Sequence, residues 1–225
     1  MSVIHKTTMA PTKLELLAPW LPAQPWYRGA GNAPELSRVG GFRLDDPAGE
    51  VGIEFVVLGD ASGERPVWYH VPLSYRGAPL DGAEQALIGT SEHGVLGQRW
   101  IYDGTHDPVL VAQLLALLQG RAEAQMQSES DAPDPSVTVD PAAEAVPASS
   151  SGAPDVTSGP DGTRLAVGSL TLDVTRVLRP DEDGPGEDGP GEDGRAAAAL
   201  AHVSAGWRLP DGGEARGRFA VLRDA

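Results

Sequence analysis

An α+β fold built on antiparallel strands is what this sequence predicts, and three observations carry the expectation. Gly52–Leu58 and Val67–Leu73 alternate apolar and polar residues, and the turn-rich GDASGERP between them suits a hairpin. A helix-period apolar run, VLVAQLLALLQGRAEA, follows Asp107 and Pro108. Further on, Ala201–Leu209 and Ala215–Leu222 flank PDGGE, a strong turn signal.

The elements follow in order. Pro11 to Leu21 reads as a short helix: Pro11 suits a first turn, and Leu14, Leu17, Ala18 and Leu21 share a face. In the first hairpin, Ile53, Phe55 and Val57 point one way, and Val67, Tyr69, Val71 and Leu73 form the inward set of its partner. Ala86–Thr90 and Val95–Tyr102 make a second strand pair, joined around Glu92–Gly94. Asp107 caps the next helix and Pro108 fits its first turn. Val111, Leu114, Leu115 and Leu118 form its apolar stripe, widened by Leu110 and Leu117, and so broad a stripe needs a sheet or helix over it. Ser169–Leu178 alternates again through Leu170, Leu172 and Val174.

Three parts result. Residues 1–125 are rich in apolar and aromatic side chains. Residues 126–162 are rich in Pro, Ser and Asp without an aromatic, and read as a disordered acidic linker. Residues 163–225 read as a three-stranded β segment, expected to pack on the first part. A flexible acidic loop at 181–194 interrupts it with GPGED repeated at 184–188 and 189–193.

The formal net charge of -15 is local. Eight acids lie between Ala122 and Thr163 and seven between Asp181 and Asp193, with no Lys or Arg in either stretch. The remaining 17 acids balance the 17 Lys and Arg, so no basic footprint for nucleic acid exists. Zero cysteines exclude disulfides, thiolate catalysis and Cys-ligated metals. No apolar run is long enough for a membrane span and no secretory signal is visible, so a cytoplasmic location is expected.

Chemistry-bearing clusters are sparse. Glu92, His93, Asp103, His106 and Asp107 resemble a metal set only in composition; Gly104 and the cap position of Asp107 place them in a turn. Ser91 near His93 lacks a nucleophile elbow, and Asp45–Asp46 sits before Pro47 in a turn rather than facing another carboxylate. No catalytic, cofactor or metal residues are assigned. The aromatics Trp20, Trp26, Tyr27, Trp68 and Trp100 are expected first as core packing under a thin sheet. Trp20, Gln24, Trp26, Tyr27 and Trp68 are the candidate interaction face, since aromatics also anchor interfaces and stack on sugars. Trp68 alternates against Tyr69 and Val71 and is the expected exposed member.

WLPAQPWYRG (Trp20–Gly29), YHVPLSYR (Tyr69–Arg76), LIG (Leu87–Gly89) and YDGTHDPVLVAQLLALL (Tyr102–Leu118) occur in one order. In that order they resemble the N-terminal cap of actinobacterial maltokinases, over roughly residues 10–120. The whole chain resembles stand-alone actinobacterial proteins with a maltokinase N-terminal cap-like domain, some carrying a glucan-branching name. That chemistry belongs to a (β/α)₈ barrel larger than this chain. The resemblance implies a cystatin-like cap, a curved antiparallel sheet holding a helix. In the family a kinase body follows that phosphorylates maltose with ATP. Here no Gly-rich phosphate loop, HxD-type loop or DFG-like triplet follows Arg121. The expectation is a non-catalytic accessory protein of maltose, trehalose or glycogen metabolism. It would contact a kinase or another glucan- or trehalose-pathway enzyme. A maltose- or glucan-binding module and a degenerate sugar kinase are the alternatives.

Overall fold

Residues 8–29, 31–127, 132–142, 155–179 and 199–225 are described by the computed structural model. In chain order they form β1 (Met9–Ala10), α1 (Lys13–Trp20), β2 (Leu36–Leu44), β3 (Gly52–Asp60), β4 (Val67–Arg76), β5 (Leu87–His93) and β6 (Gly97–Asp103). Then come α2 (Pro108–Leu118), β7 (Thr138–Asp140), β8 (Asp155–Gly159), β9 (Gly162–Val167), β10 (Leu170–Val174), β11 (Val177–Leu178), β12 (Ala199–Arg208) and β13 (Glu214–Asp224). The coarse α+β expectation holds: a 13-stranded antiparallel sheet carries two short α-helices.

Local chemistry accounts for the helices. Thr12 and Glu15 form a reciprocal capping box at α1, which places Pro11 outside the helix rather than in its first turn. Asp107 accepts from Val109 N–H and starts α2 with Pro108 in its first turn. The helix stops after Leu118, and Gly120 adopts φ 66°.

The strand order is β1-β5-β6-β4-β3-β2-β12-β13-β10-β9-β8. β11 lies off that path on β4, and β7 lies off it on β12. The sheet therefore folds back: β10 pairs β13, and three residues later Val177 and Leu178 pair Tyr69 and Trp68 of β4. Both faces of β3 are consequently buried. Ile53, Phe55 and Val57 join α2 and the β9–β13 strands in one core, while Val56 and Leu58 join Leu17, Leu21, Trp26, Tyr69, Val71 and Leu73 in a second. The two inward sets read from the first hairpin thus face opposite sides. Phe55 stands opposite Pro72 and Val57 opposite His70, so Tyr69 and Val71 point the other way.

The strands β2 and β12 meet at one residue pair, Gly40 opposite Trp207. A Cβ on Gly40 would stand 2.9 Å from Trp207 Cβ and 3.0 Å from Gly206 O, so the approach needs glycine. A β-bulge lies between Arg38 and Gly40.

Two expectations need correcting. The stretch 126–162 is not wholly a linker: Thr138–Asp140 pairs with β12 and Asp155–Gly159 with β9. Val137, Val139 and Val156 pack on the large core, so β-branched residues supply the apolar area that the composition hid. The C-terminal β segment has more than three strands, because β9 is added and the expected Ser169–Leu178 strand divides into β10 and β11. The GPGED loop at 181–194 lies outside the described residues.

Candidate functional site

The segment Trp20–Gly29 lies over the outer face of β4. Leu21 and Trp26 are buried, and Trp20, Gln24 and Tyr27 half-buried. Trp20 meets Trp26 edge-on with centroids 5.8 Å apart, Trp26 lies 5.9 Å from Tyr69, and Tyr27 stacks on Tyr69 at 5.5 Å. Polar groups fix the arrangement. Tyr27 Oη donates to Asp60 Oδ2 at 3.1 Å, Arg28 N donates to Tyr69 Oη at 2.9 Å, and Gln24 Nε2 donates to Trp20 O at 3.2 Å. Burial pushes the Tyr69 hydroxyl up to about 12, so it stays protonated. Asp60 in turn accepts from the N–H groups of Glu35 and Ser62.

Four of the five candidate face residues are therefore gathered on one side of β4, where they are held by the fold. Trp68 is not with them. It points to the opposite face, half-buried in the large core, with Trp207 at 6.3 Å. Core packing, the first expectation for these aromatics, therefore holds for Trp68, and the exposed role does not, because the C-terminal strands cover that face. Every Trp and Tyr of the chain is buried or half-buried.

Sequence reasoning missed Arg176. Its guanidinium lies 5.1 Å from the Trp26 ring and is fully buried. Nη2 donates to both Asp103 oxygens at 2.7 and 2.6 Å and to Thr105 Oγ1 at 3.1 Å, while Nε donates to Thr163 Oγ1 at 2.8 Å. Burial alone would raise the Asp103 carboxyl, but the Arg176 charge and hydrogen bonds with the Thr105 bonds hold it below its ordinary value. The signal was available: Leu170, Leu172, Val174, Arg176 and Leu178 occupy one alternation, all buried, so the arginine sits at an inward position.

Of the other polar candidates, Asp107, Ser91, Asp46, Asp45 and His93 are engaged. Asp107 receives Arg76 Nε and Nη2 at 2.7 Å each, besides capping α2. Ser91 Oγ donates to Pro11 O at 2.7 Å. Asp46 accepts the N–H groups of Ala48, Glu50 and Val51, which closes the β2–β3 turn, and Asp45 faces Arg43 at 3.9 Å. His93 Nδ1 accepts from Val95 and Leu96 in the β5–β6 turn. Among the described residues no three His, Asp or Glu converge as a metal cage. Glu54 holds Lys13, Tyr75 and Gln127, tying α1 to the sheet.

The aromatic segment is thus clasped to the antiparallel sheet by hydrogen bonds that hold the fold. Residues 20–107 match the family described as the maltokinase N-terminal cap domain. That span runs from the first aromatic of the clasp to the N-cap of α2. No curated protein matches the chain. No helix among the described residues is long and apolar enough to cross a membrane.

Proposed function

We propose that this chain is a non-catalytic, cap-like accessory protein that acts by protein–protein contact in maltose, trehalose or glycogen metabolism, in the cytoplasm. The match of residues 20–107 to the maltokinase cap family carries the reading. The engagement of Asp103, Asp107, Asp46 and Ser91 in capping, turn and ion-pair bonds supports it, because a phosphoryl-transfer site needs carboxylates aimed at a metal and a phosphate. The burial or half-burial of the tryptophans counts against sugar stacking, which needs an open ring face. A cystatin-like arrangement of sheet and helix belongs to the same proposal.

The test is affinity purification of the tagged full chain from its native cells. A stoichiometric partner among kinases or glucan- and trehalose-pathway enzymes is the expected result, and a monomer that retains nothing sinks the reading. Calorimetry with ATP and magnesium is expected to show no binding heat; saturable heat would restore the kinase alternative.

A further inference from the structure

The seam between β2 and β12 opens on both sides of its single bridge at Gly40 and Trp207. On one side the chain fills the opening itself. β7 pairs Thr138, Val139 and Asp140 with Ser204, Val203 and His202, and Gln125 pairs with Arg43. Val139 packs into the large core from there, and Asp140 Oδ2 lies 3.7 Å from His202 Nδ1.

On the other side nothing among the described residues fills it. Leu36, Ser37 and Arg38 pair with β3 along one flank, Val39 lies in the bulge, and no described residue pairs with them along the other flank. Val39, Trp68 and Leu209 lie half-buried at this end, packed on the core from its rim. The Trp207 indole beneath them is 2% exposed, and its N–H has no hydrogen-bond partner. Each lip carries an exposed arginine with no ion pair to a described residue: Arg38 on β2, whose charge also acts at longer range on the Glu54 carboxylate, and Arg208 on β12. Glu214 stands opposite Arg208 in register, without an ion pair between them.

We propose that the open edge of β2 at Leu36–Val39 is a strand-addition slot for an acidic, extended segment of a partner protein. An unpaired strand edge is a template for added backbone hydrogen bonds. Val39, Trp68 and Leu209 receive a β-branched side chain, as the opposite opening receives Val139. Arg38 and Arg208 select acidic flanks. This rests on the accessory reading above and names the surface that reading would use.

The test pans a random octapeptide display library on the full chain, with the Arg38→Glu/Arg208→Glu double variant as counter-target. Both side chains are exposed, and circular dichroism checks that the double variant folds; Arg208→Glu alone, which leaves the Arg38 charge near Glu54 in place, is the second counter-target. The expected winners alternate β-branched residues between Asp or Glu. As synthetic peptides they should bind the double variant about ten-fold more weakly, from two reversed charges. They should lose binding when alternate backbone N–H groups are methylated, and should slow amide exchange across Leu36–Val39. No enrichment, or equal binding to the double variant, overturns the proposal. So does a dimer of the chain that the double variant dissolves, which would give the slot to a second copy. Binding that requires deletion of 181–193 would give it to the chain's own acidic stretch. If a co-purified partner stays on the double variant, the slot fails while the accessory reading stands. If peptides bind but no partner is recovered, the reverse holds.

Discussion

Arg176 and Asp103 form a buried ion pair across the fold, Nη2 to Oδ2 at 2.6 Å, with the arginine arriving between β10 and β11 and the aspartate ending β6. Trp26 covers the guanidinium from the aromatic clasp, and Thr163 of β9 holds its Nε. The pair therefore joins the family-matched segment to strands that lie more than fifty residues beyond its end.

Removing either partner leaves a charge inside without compensation. Arg176→Met or Asp103→Asn is expected to destabilise by about 3–5 kcal/mol. The double variant Arg176→Met/Asp103→Asn should lose less than the two single losses summed. Urea unfolding followed by tryptophan fluorescence measures both. Additive losses would show that the two side chains act independently.

Acid should weaken the protein in two stages. Burial among Phe55 and Phe219 pushes the His70 imidazole down to about 3, opposed in part by its bond to Thr175 O at 2.8 Å. The unfolded chain binds this proton near pH 6.5 and the folded one does not. Stability is thus full above pH 6.5 and falls between there and about pH 3, by up to about 1.4 kcal/mol per pH unit. His70→Phe should flatten the upper part of that decline.

Asp103 and Glu54 give the second stage. Burial would raise Glu54, but Lys13 and Tyr75 outweigh it, so both carboxyls titrate below their ordinary values. Their contribution is present above the unfolded carboxylate range and is lost as pH drops through the folded one. Denaturation midpoints in Asp103→Asn should decline less steeply below pH 4.5 than those of the parent.

Gly40 and Gly41 sit where strands crowd. A Cβ at Gly41, whose φ is 122°, would stand 2.0 Å from Phe55 O. Gly41→Ala should cost about 1–3 kcal/mol from overpacking and backbone strain. Gly40→Val should additionally disturb the Trp207 near-ultraviolet signal, because it wedges β2 from β12. Unchanged thermal midpoints would contradict the close approach.

Trp26→Ala is expected to cost about 3–5 kcal/mol, since a large buried ring is removed. Trp20→Ala, half-buried at the clasp's rim, should cost less. Thermal unfolding ranks the two, and a reversed order would overturn the assignment of Trp26 to the core.

Much of this architecture is legible in the residues. Alternation marked β3, β4, β12 and β13, and Asp107–Pro108 marked the start of α2, because those signals are local. What alternation could not report is how many faces a strand buries. β3 carries apolar residues at both Val56–Leu58 and Phe55–Val57, so either set could have been chosen as inward. Trp68 looked exposed because its neighbour Tyr69 pointed inward; the covering strands come from residues more than a hundred positions later. β7 was hidden because three residues of TVD in an acidic, proline-flanked stretch gain their stability from β12, a partner that composition does not see. Arg176 stood in a readable register, yet a charged residue at an inward position becomes intelligible only with Asp103 beside it.

β13 follows the other described strands in sequence but lies inside the sheet, between β12 and β10. On a ribosome, the earlier strands therefore emerge with their neighbour still unmade, and residues 214–224 must leave the exit tunnel before the large core can close. Until then the apolar residues of the large core lack the cover of β13, which makes chaperone dependence a measurable property of this topology.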